Sequence, residues 1–421
     1  MFQKITLKNG LRIITVPQKN SQAMTVLILV KTGSKYETKE VNGISHFLEH
    51  MFFKGTKKRP SKITVAETLD RVGGIYNAFT SGDYTGYYAK VAASDGKLAL
   101  DWVSDIYLNS LLPEKEIEKE KGVIIEEINM YLDTPMSYIH SLWDNLLYGD
   151  QPAGWDVAGT KESVAKISRA DLINYRESQY TATNTVCCLV GKINEQEMIK
   201  EAKKIFSKIN PRKAKDNLPV IEEQTSPKCL LYFKKTDQTH LCLGVRGYNL
   251  FQLQRYAQDV LGIILGGMMS SRLFIKIREK LGIAYYVRTY SETNPDTGYL
   301  VTQAGIDNKN IETAIKVILK EYKTISQKKI SKKELKKAKD YIKGKTSLFL
   351  EASDAQASFY ALQELLENKI LTPEEIFKKI DKVSEYDIMK TARDLFSLEK
   401  LNLALIGPFE DKEKFEKLLK L

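Results

Sequence analysis

The second half of this 421-residue chain follows the order of the first. Leu69-Asp70-Arg71-Val72-Gly73-Gly74-Ile75-Tyr76 resembles Arg278-Glu279-Lys280-Leu281-Gly282-Ile283-Ala284-Tyr285. Downstream, Thr85-Gly86-Tyr87-Tyr88 echoes Thr297-Gly298-Tyr299-Leu300, and the helix opened by Glu116-Ile117 echoes one opened by Glu334-Leu335. Identity is low but order is kept, so a duplicated domain is expected. The polar, proline-bearing stretch 210–219 is the linker candidate, giving domains 1–212 and 213–421. Each is long enough to bury its own core.

Residues 3–18 predict a hairpin around the Asn9-Gly10 turn, followed by a strand over 24–32. A short helix is expected over 43–53, and a second from the Ser61 cap to about Val72, stopped by Gly73-Gly74. Residues 75–93 alternate as two strands around Ser81-Gly82-Asp83. Helices are expected over 97–111, from Pro113 to about Met130, over 163–179 and over 194–209, the last two flanking a strand at 185–191. Strands and helices are mixed without a strict βαβ alternation. The fold class is therefore α+β: two tandem duplicated domains, each a largely antiparallel sheet packed with helices.

Composition excludes several classes. A chain with 43% hydrophobic and 28% charged residues is not intrinsically disordered. No apolar run approaches the ~18–20 residues of a membrane span. The start of the chain shows no secretory or transit pattern, so a cytoplasmic protein is expected. The net charge of +11 invites a nucleic-acid partner. The two halves differ, with 27 basic and 25 acidic residues up to position 210 and 37 and 28 beyond it. Much of the excess is Lys at helical spacing, as in Lys332, Lys336 and Lys339, which reads as a solvated helix face. No nucleic-acid partner is expected. Cys187, Cys188, Cys229 and Cys242 fit no zinc ribbon or redox pair, and the adjacent two lie in an apolar run that reads as a buried strand.

Only four histidines occur, and two of them stand in His46-Phe47-Leu48-Glu49-His50. On a helix, residues i and i+4 share a face, so both imidazoles can reach one ion, with Glu49 on the same side. Catalytic zinc takes imidazole and carboxylate ligands and keeps a position open for water. A non-ligand carboxylate beside that water can act as general base. This order is the inverted zinc-protease motif. A third ligand is needed, and the helix after Pro113 offers Glu116, Glu118, Glu120, Glu126 and Glu127.

The segment Glu118 to Glu127 resembles the one that supplies the third ligand in the pitrilysin, insulysin and mitochondrial processing peptidase family. Glu127, 77 residues beyond His50, holds the matching position. Glu120 matches the family's second acidic position, read as a group that steadies the ligands. Gly43 to Thr56 resembles the family's motif helix, and Gly73 to Thr80 its active-site edge strand. There Gly74, Asn77 and Ala78 would meet an extended substrate added as a strand. Gly266 to Leu273 and Arg278 to Tyr285 resemble the family's C-terminal half. Arg278 and Tyr285, seven apart, match its pair that contacts the substrate backbone near the scissile bond and stabilises the oxyanion.

The resemblance spans nearly the whole chain. It implies a zinc metallo-endopeptidase acting on short or unfolded peptides, with one Zn2+ per chain on His46, His50 and Glu127. Glu49 is the base, while Glu120, Arg278 and Tyr285 complete the catalytic set. It also implies a clamshell homodimer; a paralogue partner and a monomer stay open, as do leader processing and peptide scavenging. A catalytically inactive structural or peptide-binding relative is the alternative. In the second half, Arg255, Gln258 and Asp259 fall opposite the motif and Lys345 opposite Glu127, so no second zinc site is expected there. Gly344-Lys345-Thr346 lacks the leading glycine of a phosphate loop, and no nucleotide site is expected.

Overall fold

The computed structural model describes residues 2–421. Strands β1 (Gln3–Thr6), β2 (Arg12–Pro17) and β3 (Ala23–Val30) open the chain. They are followed by α1 (Ile44–Phe52), α2 (Lys62–Asp70), β4 (Ile75–Thr80), β5 (Thr85–Ala92) and α3 (Gly96–Asn109). Next come α4 (Glu114–Asp133), α5 (Pro135–Tyr148), α6 (Lys161–Lys166), α7 (Arg169–Gln179), β6 (Thr185–Gly191) and α8 (Glu195–Phe206). The second half runs β7 (Lys228–Phe233), β8 (Gln238–Arg246), α9 (Arg255–Gly262), β9 (Ala284–Thr293), β10 (Gly298–Asp307), α10 (Ile311–Gln327) and α11 (Lys332–Phe349). It ends with α12 (Ser353–Glu367), α13 (Pro373–Asp381), α14 (Glu385–Leu395), β11 (Leu401–Gly407) and the short α15 (Lys412–Glu416).

The single helix expected over 163–179 is two. Ser168 caps α7 with a reciprocal bond to Asp171, and a new cap needs an extended residue that interrupts helical dihedrals.

The strand order is β1-β2-β6-β3-β5-β4 in one sheet and β7-β11-β8-β10-β9 in the other. In both, one neighbouring pair is parallel (β2 with β6, β7 with β11) and the rest are antiparallel. The second sheet therefore repeats the first without its opening hairpin strand. That is the duplication read from the sequence, and both sheets are largely antiparallel, each with one parallel pair.

The chain divides into two compact units that are not continuous in sequence. One comprises residues 1–129, 155–218 and 348–371; the other 130–154, 219–347 and 372–421. Each thus takes one helix from the opposite half. In the first unit, Ala357, Tyr360, Ala361 and Leu365 of α12 pack on Ile14, Leu27, Leu29, Val186 and Val190 of the sheet. The opposite sheet face meets α1, α3 and α7 through Phe47, Phe52, Trp102 and Leu172. In the second unit, Ile139, Trp143 and Leu147 of α5 cover Cys242, Val301, Ala404 and Ile406. Both sheets are covered on two faces, which is why β6 and β11 are buried along their whole length. Cys187 and Cys188 sit in β6 as free thiols, and burial raises both well beyond the ordinary thiol range.

Among the described residues no helix is long and apolar enough to cross a membrane. The lysines of α11 lie on its solvated face, where Lys336 pairs with Asp340 and Lys343 with Asp381.

Candidate metal centre

Helix α1 buries Ile44, Phe47, Leu48, Met51 and Phe52 and leaves His46, Glu49 and His50 only partly covered. Phe52 stacks on Tyr87 of β5 with ring centroids 4.9 Å apart, fixing the rotation of the helix. Its N-terminus has no side-chain cap of its own, because Gly43 holds that place at φ 95°. A side chain there would meet the Ala158 carbonyl oxygen at 2.6 Å. The cap comes instead from Glu37, a buried carboxylate six residues earlier. Its Oε2 accepts from the Gly43 N–H at 2.7 Å and from Asn42 Nδ2 at 2.9 Å, and its Oε1 accepts from the Ser45 N–H at 2.8 Å. A carboxylate suits the positive end of a helix.

Three donor atoms converge above α1. His46 Nε2 and His50 Nε2 are 3.3 Å apart, and Glu127 Oε2 lies 3.7 Å from the first and 3.5 Å from the second. They are the one group of metal-ligand type among the described residues. Zinc–ligand bonds of about 2.1 Å in a tetrahedron separate ligands by about 3.4 Å, so the spacing fits.

The proton inventory fits as well. His50 Nδ1 lies 2.9 Å from Glu120 Oε1, so the ring donates through Nδ1 to the carboxylate and turns Nε2 toward His46 and Glu127. Burial, aided by the neighbouring His50, pushes His46 down to about 3, so the His46 ring is neutral near pH 7. His46 Nδ1 is buried with no hydrogen-bond partner among the described residues, while its Nε2 faces His50 Nε2 and Glu127 Oε2 across a gap of cation size. The second unit offers no such group. Asp259, opposite the motif, accepts a hydrogen bond from Ser291 instead.

Glu120 and Glu127 are seven residues apart, two turns along one face of α4. Glu120 is buried, and its Oε2 receives Lys54 Nζ at 2.6 Å. Burial works to raise its carboxyl, but the bonds from His50 and Lys54 outweigh burial and hold it below the usual carboxylate range. Its contacts are thus with His50 Nδ1 and Lys54 Nζ, and it lies outside the group of three donor atoms. Glu49 does not belong to the ligand triad. Burial raises its carboxyl, against the opposing hydrogen bond from Thr80.

Gly74, Asn77 and Ala78 lie at the edge of the first sheet, Gly74 just before β4 and the other two within it. Asn77 and Ala78 pair with Tyr88 and Tyr87 on the inner side only. The Ala78 N–H donates to Asn77 Oδ1 at 2.9 Å.

In the second unit, Arg278 sits in a wide-turned π-helical segment, Phe274–Lys280, with its guanidinium 5.0 Å from the Phe274 ring centroid. The register of β9 on β10 steps between Tyr286↔Gly305 and Ala284↔Ile306, leaving Tyr285 as the extra residue. Such a bulge re-aims a side chain, and Tyr285 is 76% exposed. Both residues thus stand on local irregularities of the kind found at functional sites.

Residues 12–161 match the family model of insulinase, peptidase family M16, and residues 166–342 match that of the peptidase M16 inactive domain.

The chain belongs to peptidase family M16.

It is 37% identical over 408 residues to the uncharacterized zinc protease YmxG of Bacillus subtilis, covering 97% of this chain and 98% of that one. It is 32% identical over 417 residues to the uncharacterized zinc protease SCO5738 of Streptomyces coelicolor, covering 98% and 90%. The crystal structure of a protease from Helicobacter pylori superposes with a TM-score of 0.90 at 23% identity, covering 97% of this chain and 99% of that one, and shows the same fold.

Within this M16 chain, the sequence reading missed three residues that hold the motif in place. Glu37 anchors the motif helix, Lys54 holds Glu120, and Thr80 donates to Glu49. Lys54 lies just past the end of α1, outside the helical periodicity that placed His46 and His50. Glu37 and Thr80 carry no local signal, because each acts across a loop or on another element.

Proposed function

We propose that this protein is a zinc metallo-endopeptidase that hydrolyses peptide bonds in short or unfolded peptides, with one zinc per chain. The observation that carries the reading is the convergence of three atoms of metal-ligand type at zinc-like spacing, with a carboxylate outside the group on the same helix as the two histidines. Zinc held by His46, His50 and Glu127 would supply a Lewis acid for the scissile carbonyl and the attacking water. Glu49 takes a proton from that water and hands it to the leaving amine. The edge of β4 accepts the peptide as an added strand, and Arg278 and Tyr285 bind its carbonyl oxygens. A chain carrying both the ligands and this Arg/Tyr pair supports the homodimer expected from the family resemblance.

The test is cleavage of an unstructured peptide, with metal analysis and native mass measurement on the same sample. The expected result is cleavage that a chelator stops and zinc restores, one zinc per chain, and a dimer mass. Cleavage untouched by chelator, or no cleavage at full zinc occupancy, overturns the peptidase reading. A monomer mass overturns the dimer alone.

A further inference from the structure

Resting on the peptidase reading, we propose that Thr80 is the positioning residue of the general base, and that it ties Glu49 to the strand on which substrate is laid. Thr80 Oγ1 donates to Glu49 Oε2 at 2.5 Å. Among the described residues this is the one side-chain hydrogen bond to Glu49. A hydroxyl bonded to Oε2 holds the carboxylate in one orientation and leaves Oε1 without a protein hydrogen-bond partner among the described residues.

Thr80 is itself held firmly. It is the last residue of β4, paired with Thr85. The turn that follows closes through Ser81 N–H to the Tyr84 carbonyl at 2.9 Å and Tyr84 N–H to Ser81 Oγ at 3.1 Å. That turn is fastened to the segment after β3. Ser34 N–H donates to the Ser81 carbonyl at 3.2 Å, and Lys35 N–H to the Gly82 carbonyl at 3.0 Å. A buried ion pair, Lys35 Nζ to Asp83 Oδ1 at 2.9 Å, locks the join. The β-branched side chain of Thr80 then has few rotamers to choose from. The hydroxyl is fixed to the same backbone that would pair with a peptide, so a correctly seated peptide and a correctly aimed base share one reference strand.

The experiment compares wild type, T80V and T80S as full-length, zinc-loaded protein. Valine keeps the shape and removes the donor; serine keeps the donor. With T80V, kcat for an unstructured peptide should fall about 10–100-fold, the range for losing a hydrogen bond to a charged group, with KM within about twofold. T80S should recover kcat to within about threefold of wild type, and all three should bind equal zinc. Crystal structures give a readout that needs no activity: Glu49 should stay in place in wild type and T80S and turn away or lose order in T80V. Unchanged kcat in T80V, or an unmoved Glu49, overturns the proposal. So does a T80S protein as impaired as T80V. A wild type that leaves peptide intact overturns the peptidase reading instead, and the position of Glu49 in T80V then decides the proposal by itself.

Discussion

His50 Nδ1 donates to Glu120 Oε1 across 2.9 Å, and Lys54 closes on the other oxygen of the same carboxylate at 2.6 Å. The ring is thereby set in one tautomer and one orientation, with Nε2 aimed at His46 and Glu127. Substituting Glu120→Gln removes the charge that makes this bond strong and leaves Lys54 without an ionic partner. Metal affinity should fall about 10–100-fold. Competition against a chromophoric chelator measures it, and an affinity equal to wild type would refute the role given to Glu120.

Glu49→Gln should separate metal binding from turnover. The ligand triad is untouched, so zinc content should match wild type. A base that moves a proton contributes about 10²–10⁴-fold, and kcat should drop by at least that much. A Glu49→Gln protein that retains turnover would remove Glu49 from the mechanism.

Glu37→Ala should destabilise the first unit. Three donors, two of them backbone N–H groups at the start of α1, lose their acceptor in a buried place. Each buried unsatisfied donor costs about 1–3 kcal/mol, so a loss of at least ~2 kcal/mol is expected in denaturant unfolding. Glu37→Gln should not rescue it, because an amide turns one acceptor into a donor facing another donor. A Gln variant as stable as wild type would contradict this.

His140 supplies a pH dependence outside the metal centre. Its Nε2 faces Arg288 Nη2 at 3.3 Å and its Nδ1 faces Tyr290 Oη at 3.0 Å. Burial first, and then the Arg288 charge, hold it below its ordinary 6.5. A folded value below the unfolded one means that the unfolded chain binds the proton more readily. This stability is fully present above about pH 6.5 and is lost as pH falls through the lowered folded value. A glutamine can accept from Arg288 and donate to Tyr290 without titrating. H140Q should therefore lose less melting temperature than wild type between pH 7.5 and 5, and an equal loss would dismiss the role of His140.

Much of the centre was legible because it is local. The i, i+4 spacing of His46 and His50 dictates a shared helix face wherever that helix lies, and Glu49 follows by the same geometry. Glu127 was one of several acidic candidates on α4 until the family resemblance chose it, and α4 then brings Glu120 along on the same face. The offset between the halves likewise anticipated two sheets of one strand order. The opposite-half helices on each sheet were not legible. An apolar face on α5 or α12 says that a partner is needed, not which sheet provides it.

Sequence alone determined the shared face of His46 and His50, the place of Glu49 beside them and the duplicated order of the two halves, because each depends on spacing within an element or on order along the chain. Tertiary structure decided that Glu37 caps the motif helix, that Lys54 and His50 share Glu120, that Thr80 reaches Glu49, and that Tyr285 is turned outward by a bulge. Glu37 reaches α1 over a short loop, and the other relations join elements farther apart in sequence. Their distances depend on how sheets and helices pack, and no periodicity along a chain encodes that.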